Sequence, residues 1–327
     1  MERAQASVSA AVPRARPCVA IRDAALRPRQ RRIALLTILG PSAGTLAALA
    51  LAAVRGLHAL DLAWLVAGVV IGQLALEVGY HRLLAHRAFD APRWVKIALA
   101  AGGSMTGQGR VVHWVANHRR HHVHSDTPDD PHSPFVRAGA EGPERLGLVR
   151  GLVHAQWGHM LSDGVPNGTL FARDLNADPA LRRVNECYGA LIALGLVLPA
   201  ALGLALAGPW GALSGFLWGG LVRLFVVQNV TWSVASVSHR FGARRFDTGD
   251  ESRNLLWTAL PSFGSGYQNN HHAFPHSARL GLRWWELDVA LLAIRALAAL
   301  GLARDLKFPT PAEIRAKELA RAPERSP

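Results

Sequence analysis

Scanning the chain for apolar runs free of charge isolates four segments. Ile33 to Val54 contains no Asp, Glu, Lys or Arg. As a helix rising about 1.5 Å per residue it would measure roughly 33 Å, enough to cross a hydrocarbon core of about 30 Å. A second run, Leu62 to Leu76, is closed by Glu77 and the polar stretch from His81, and the short loop Arg55 to Asp61 pairs it with the first as a helical hairpin. Tyr188 to Ala207 and Trp210 to about Ser233 form another pair through Gly208 and Pro209, and Arg223 is the only charge in the last run. Four such runs in two tight pairs predict membrane spans at about 33–54, 60–80, 187–207 and 210–234, and argue against buried core helices of a soluble protein. Polar segments at 81–186 and 235–305 remain outside the spans. Trp284 to Leu302 reads as an amphipathic helix lying on the membrane or on the rest of the domain. The chain thus divides into a basic segment 1–32, a membrane domain 33–305 and a flexible, solvated tail 306–327, rich in Pro, Arg, Lys and Glu from Pro309 onward.

Composition sharpens this picture. Half of the 327 residues are apolar and 18% are charged, which excludes a disordered or collagen-like chain. Cys18 and Cys187 are the only cysteines and lack CxxC spacing, so neither a disulfide framework nor a thiolate metal site can be built from this chain. The net charge of +13 comes mostly from arginine, with three lysines among 36 basic residues. Eight arginines precede the first span (Arg3, Arg14, Arg16, Arg22, Arg27, Arg29, Arg31, Arg32), against one in the two hairpin loops. The positive-inside rule then places both termini and the middle segment in the cytoplasm. The first 32 residues are too long and too charged for a signal-peptide n-region. Dispersed arginines explained by topology leave little support for nucleic-acid binding.

Fifteen histidines are the other excess, and they cluster. HRLLAH supplies His81 and His86. Five residues turn an α-helix by about 500°, so these two would point about 140° apart, which suits two metals, or a helix ending between them, better than one face. HRRHH supplies His118, His121 and His122, and positions i, i+3 and i+4 share a helix face. His239 follows the fourth span, and QNNHH brings Gln268, His271 and His272 at the same spacing. Eight histidines exceed the needs of one tetrahedral site, and a nearly all-nitrogen set with open positions suits redox iron handling dioxygen better than structural zinc. The resulting fold class is an all-α polytopic membrane protein with four transmembrane helices in two hairpins and a helical cytosolic di-metal cap.

The text YHRLLAHRAF, HRRHHVHSDTPDDPHSP, WSVASVSHRFGARRFDTGDESRN and NNHHAFPHSARLGL resembles the integral-membrane fatty acyl desaturases of the stearoyl-CoA desaturase type, in their shorter bacterial form, over roughly Val66 to Leu282. That resemblance implies a cytosolic di-iron centre using dioxygen and two electrons to remove two hydrogens from an acyl chain. It implies iron ligands His81, His86, His118, His121, His122, His239, His271 and His272, with His113, His124, His132, His154, His159 and His276 outside the ligand positions. Gln108, Trp114, Thr231 and Trp232 match the positions that bend the substrate tunnel and imply a cis double bond near carbon nine; otherwise Trp114 and Trp232 would be interfacial aromatics. Asp130 and His132 would brace the loop or a ligand. Arg223 matches a family arginine, either functional or reaching a carbonyl or headgroup.

Departures from the family pattern concentrate at the chemistry. Gln268 replaces the first histidine of the third box, so it is a ninth candidate ligand. Ser265 replaces the Glu of a GEG motif, and Ala235 replaces an Asn that holds a metal-bound water. Ala116 and Asn117 replace an Arg-Asp pair at the coenzyme A end, which leaves acyl-CoA, phospholipid and acyl carrier protein open as carriers. The first three departures admit a related di-iron acyl or lipid hydroxylase as the alternative. A histidine-rich metal transporter would need polar ligands deep within the spans, where only Arg223 is found. No haem domain, flavin or nicotinamide fingerprint or cysteine cluster is present, so electrons must come from a separate donor. The resemblance implies a ferredoxin, a rubredoxin, or a b-type cytochrome with its reductase, docked in part by basic surface.

Overall fold

The computed structural model describes residues 18–162 and 164–318. Arg3, Arg14 and Arg16 of the basic segment, and 319–327 of the expected tail, lie outside the described residues. After a short strand β1 (Ala20–Ile21), the first long helix, α1 (Arg27–Arg55), starts with Pro28 in its first turn, where a missing N–H is tolerated. It stops at Gly56, whose φ of 83° a residue with a Cβ would resist. α2 (Ala59–Leu74) begins where the His58 N–H donates to the Asp61 carboxylate at 3.0 Å, and it continues unbroken as a π-helical segment, Ala75–Ala85. α3 (Arg93–Ser104) and α4 (Val111–His124) follow, then a two-stranded ribbon of β2 (Val136–Ala138) and β3 (Pro143–Arg145), and α5 (Leu148–Gln156). β4 (Val165–Pro166) pairs antiparallel with β1. The chain then enters α6 (Tyr188–Ser214), a second π-helical segment Gly215–Val222, α7 (Arg223–Arg240), α8 (Gln268–Ala273), α9 (Val289–Ala299) and α10 (Pro311–Lys317).

Among the described residues, three helical stretches are long and apolar enough to cross a membrane: Arg27–Arg55, Ala59–Ala85 and Tyr188–Arg240. Only 22%, 28% and 17% of their most apolar windows is buried within the protein, and side chains such as Leu36, Leu46, Ile71 and Leu206 are exposed. Core helices of a soluble domain would bury these faces; here they require an apolar surrounding. The 53-residue stretch is not straight. Ala207 (φ −145°, ψ 26°) and Gly208 (φ 63°, ψ −155°) break it, and the second leg returns along the first. The backbones touch, since a Cβ added at Gly211 would sit 2.0 Å from the Gly203 carbonyl oxygen, and one at Gly215 2.0 Å from that of Pro199.

Arg223 sits where these helices meet. Its guanidinium donates to the carbonyls of Gly219 (2.8 Å), Met105 (3.0 Å) and Gly195 (3.2 Å), so it ties three segments together.

The main core surrounds the π-helical end of α2. Leu76, Val78, Tyr80 and Leu84 pack with Val95 and Ala100 of α3, Val111, Val115 and Ala116 of α4, and Ala290 and Ile294 of α9. Buried Arg82 reaches across this core to Asp288 through paired bonds of 2.7 and 3.0 Å. Asp288 also accepts the Leu291 N–H, so the amphipathic helix expected over 284–302 begins only at Val289. Trp284 and Trp285 precede it, exposed. Within the expected tail, 311–318 are largely exposed but form a short capped helix tied to the rest of the chain. Thr310 and Glu313 cap α10 reciprocally, the Lys317 ammonium donates to the Ala273 carbonyl (2.6 Å), and Arg245 pairs with Glu318 (2.7 Å). These contacts fasten the segment beside α8.

Candidate metal centre

The π-helical turn decides how the first two histidines point. The His86 N–H donates to the His81 carbonyl, five residues back, at 3.0 Å, and the helix ends at Ala85. This wider turn brings i and i+5 into register, and the two rings lie 4.9 Å apart. Divergence by 140° is therefore corrected: both face one focus. On α4, His118 and His122, one turn apart, meet at one focus, while His121, about 100° round the helix from His122, turns to His272. On α8, His271 and His272 are adjacent and so diverge by about 100°, one toward each focus.

Two clusters result. In the first, Nε2 atoms converge from His86 and His118 (2.7 Å), His271 and His122 (2.9 Å), His81 and His271 (3.1 Å), and His122 and His118 (3.2 Å). In the second, His121, His239 and His272 converge, with 3.3 Å between the Nε2 atoms of His121 and His272. The clusters adjoin, since the His122 and His272 rings are 4.5 Å apart. All eight expected histidines are thus brought together.

The outward nitrogens show what these foci accommodate. His81 Nδ1 donates to Glu77 (2.9 Å), His121 to Asp130 (3.0 Å), His239 to Asp126 (2.9 Å) and His272 to Asp250 (2.5 Å). An ionised carboxylate only accepts, so in each ring the proton sits on Nδ1 and Nε2 keeps a bare lone pair. Bare lone pairs a few ångströms apart repel. The Nε2 of His239 and the Oε1 of Gln268 are moreover buried without any partner. A cation at each focus relieves both costs, so the donor set fits metal ions.

Charge states agree. Burial, helped by neighbouring rings, holds His86, His118, His122 and His271 well below the usual histidine value, and burial holds His272 at about 4, leaving neutral imidazoles. His239 is the exception: against burial, which lowers it, the Asp126 charge and hydrogen bond prevail and raise it, so its Nε2 lone pair becomes available to a metal only as the extra proton is displaced. Asp126 is itself fixed by the Glu251 N–H and the Ser133 hydroxyl, both at 2.9 Å. Asp130 accepts the His132 N–H (3.0 Å) as well as bonding His121.

A cavity of about 1160 Å³ opens beside the clusters. Gln108, Trp114, Thr231 and Trp232 all line it, together with Ala235, Ser265 and Gln268. Trp114 stacks on His118 (4.9 Å, 14°) and meets Tyr80 (5.6 Å). Trp232 is buried. Both tryptophans are walls of the cavity. The Thr231 hydroxyl donates to the Val227 carbonyl (2.8 Å), and the Gln108 side-chain nitrogen is unpaired.

A family model described as fatty acid desaturase matches residues 60–305. The chain belongs to the fatty acid desaturase family. It is 43% identical to the hex-5-enoyl-[acyl-carrier protein] acetylenase of Moorena producens (strain JHB), over 86% of this chain and 87% of that one. It is 36% identical to the sn-1 stearoyl-lipid 9-desaturase of Anabaena variabilis (76% and 86%) and 36% identical to Delta-9 acyl-lipid desaturase 2 of Arabidopsis thaliana (77% and 76%). This desaturase is therefore a membrane-associated enzyme of lipid metabolism that acts on a fatty acyl substrate and carries histidine clusters able to bind metal.

Two departures of this desaturase take on meaning in space. The carboxylate absent at Ser265 is present nearby, because the Ser265 hydroxyl donates to Glu77, which also accepts from His81. Ala116 is fully buried in the core, while Asn117 lines the cavity. Sequence reasoning found Asp130 but missed Glu77, Asp126 and Asp250. Glu77 lies one helical turn before His81, a readable signal. Asp126 and Asp250 stand 113 and 22 residues from the histidines they hold, and nothing local announces them.

Proposed function

We propose that this enzyme removes two hydrogens from the middle of a long acyl chain, near carbon nine, at two iron ions held by its histidines. His81, His86, His118, His122 and His271 would hold one ion and His121, His239 and His272 the other, with Gln268 a further candidate ligand. Bound iron supplies the oxidising power, drawn from dioxygen and two electrons, that an unactivated CH2 group demands. The chain's own residues do the positioning. Glu77, Asp126, Asp130 and Asp250 keep Nδ1 protons away from the foci, and Asp130 and His132 brace the loop. Gln108, Trp114, Thr231 and Trp232 shape the cavity wall so that an acyl chain lies bent against the His81 and His118 side, which favours a cis product. Position nine is also named in the Anabaena and Arabidopsis relatives.

The membrane arrangement we infer has four spans in two hairpins, with both termini and the helical cap in the cytoplasm. The doubled-back 53-residue stretch and the concentration of arginine before α1 support it. Electrons would arrive from a separate ferredoxin, rubredoxin or b-type cytochrome system.

The observation that carries this reading is the pair of carboxylate-backed imidazole clusters opening onto the cavity that holds all four tunnel residues. Expression in a host lacking unsaturated lipids, followed by fatty-acid methyl-ester analysis, tests it. The expected product is lighter by two hydrogens. Gain of one oxygen would assign the hydroxylase, loss of two hydrogens only from a supplied alkenoic acid would assign an acetylenase like the Moorena relative, and unchanged acids in both cases would refute the reading.

A further inference from the structure

The exposed apolar surface does not stop where the long helices end. Beyond α7 the chain makes a short helical turn, Leu256–Ala259, which is fastened to two of the apolar helices. The Ser238 and Thr258 hydroxyls, 2.6 Å apart, bond it to the last turn of α7, and the Gln73 side-chain amide donates to the Pro261 carbonyl at 3.1 Å. Gln73 is fully buried and lies inside the apolar run Leu62–Leu76, within one helical turn of exposed Val70 and Ile71. The turn is therefore hung at the height of lipid-facing α2. Thr258 and Ala259 are buried on its inner side, whereas Leu256, Trp257 and Leu260 are exposed, Trp257 over 82% of its surface. A second loop is built onto the same block. Leu280 packs with Ala259 and Tyr267, and the Phe263 carbonyl accepts the Ala290 N–H at 3.1 Å. Between those anchors Trp284 and Trp285 meet edge to face at 5.4 Å, Trp284 with 90% of its surface exposed.

We propose that Leu256, Trp257, Leu260, Trp284 and Trp285 form a wedge that seats the cap in the boundary between headgroups and acyl chains, beside α2. The proposal rests on reading α2 and α7 as membrane spans. Trp257 and Trp284 are more exposed than Leu36 (66%) and Leu46 (69%) of α1, whose faces already require an apolar surrounding. Attachment at Gln73 makes the patch continuous with that lipid-facing surface, and the continuity names its occupant. The chemistry agrees, because an indole joins a large apolar body to a single N–H donor and is favoured where one side is apolar and the other wet. Arg283, its guanidinium 5.0 Å from the Trp285 ring centre, can keep its stem in the apolar layer and its charge among phosphates. Of the two placements expected for the 284–302 helix, α9 takes the domain, since Ala290, Leu291 and Ile294 are buried; the tryptophans before it take the lipid. The Leu255 N–H donates to the Gly266 carbonyl at 3.0 Å, two residues before α8. The depth of the wedge thus sets the depth of His271 and His272.

The test uses the full-length protein in vesicles of phosphatidylcholine and phosphatidylglycerol, with Cys18→Ser and Cys187→Ser removing the native thiols. Single cysteines enter as Trp257→Cys, Leu260→Cys, Trp284→Cys, Leu46→Cys or Asp247→Cys, and each carries an environment-sensitive fluorophore. Asp247 is an exposed position of the cap and Leu46 an exposed position in the middle of α1. Quenchers are aqueous iodide and lipids bearing a nitroxide either near the headgroup or near the chain end. Probes on the two loops should emit to the blue of the Asp247→Cys probe, resist iodide, and be quenched about twofold more by the shallow nitroxide than by the deep one. The Leu46→Cys probe should show the reverse order of depths. Leu260→Cys reads the same turn if Trp257→Cys does not fold. Iodide quenching of either loop equal to that of the Asp247→Cys probe would overturn the proposal. Cross-linking of Trp257→Cys between two chains, without nitroxide quenching, would assign the patch to a second copy and overturn it as well. A Leu46→Cys probe open to iodide would sink the spanning reading itself, whereas a lipid-quenched Leu46→Cys probe beside a water-quenched Trp257→Cys probe would sink the wedge alone.

Discussion

A histidine in this protein is defined by what its outer nitrogen holds. His121 and His272 each offer Nε2 inward because Asp130 and Asp250 take the Nδ1 proton, so His121→Ala or His272→Ala should abolish loading of the second focus. His159 donates to no carboxylate and faces the His154 carbonyl instead (3.3 Å); His159→Ala should leave metal content nearly unchanged. Equal iron content in all three purified variants would overturn this assignment. Replacing a bracing carboxylate, as in Asp126→Asn, frees the ring to rotate and should weaken metal affinity by roughly 10- to 100-fold, measured by competition with a chelator. Gln268→His would place an imidazole where a buried oxygen now lacks a partner. Iron per chain should rise, and no rise would mean that Gln268 already serves as a ligand or does not face the metal.

At the scale of elements, the decisive feature is the π-helical end of α2, and it is anchored by Arg82. The Arg82–Asp288 pair is buried on both sides and joins this segment to the start of α9. Breaking a buried pair by removing one partner costs about 3–5 kcal/mol, so Asp288→Ala should lower the thermal midpoint in detergent sharply and loosen metal binding with it. α4 is held from its other side by Asp174, which accepts two bonds from Arg119 and pairs with Arg87. Burial would raise the Asp174 carboxyl, but these arginines outweigh it and hold it at about 2. A lowered folded value stabilises fully above the unfolded value near 3.9 and is lost as pH falls through the folded one. Asp174→Asn should therefore cost about 1 kcal/mol at pH 7 for this partly exposed group. The gap from the parent protein should close between pH 4 and pH 2; a gap independent of pH would show that the charge does not matter. The α6 hairpin depends on backbone contact, and Gly211→Val, with a Cβ 2.0 Å from the Gly203 carbonyl oxygen, should force the legs apart and reduce folded yield.

The whole molecule is organised about a membrane plane that its sequence announces. Single cysteines placed at Gly249 in the cap and at Leu57 in the first hairpin loop should label from opposite sides of sealed vesicles; labelling from one side would refute the inferred topology. The apolar runs, the break at Gly208 and the three histidine boxes were legible because each depends on residues close together in the chain: helix length, turn chemistry and spacing along one helix are local properties. The eight histidines that the family resemblance implied as ligands all lie in those boxes or just after the fourth apolar run. What the chain order could not show was which imidazole joins which focus. The α-helical angle between His81 and His86 failed because packing of the Leu76–Leu84 face around α3 and α4 accompanies a π turn, and hydrogen-bond pattern along a helix is not written in apolar spacing. Nor could it show that 311–318 docks, because its stabilising partners, Arg245 and Ala273, lie 73 and 44 residues away. The sequence by itself determined the apolar helices, their pairing and the kind of chemistry. Only the tertiary structure decided the grouping of five and three imidazoles, the return of a carboxylate to Ser265 through Glu77, and the fastening of the Trp257 turn to α2, because each joins residues whose distance in space bears no relation to their distance in the chain.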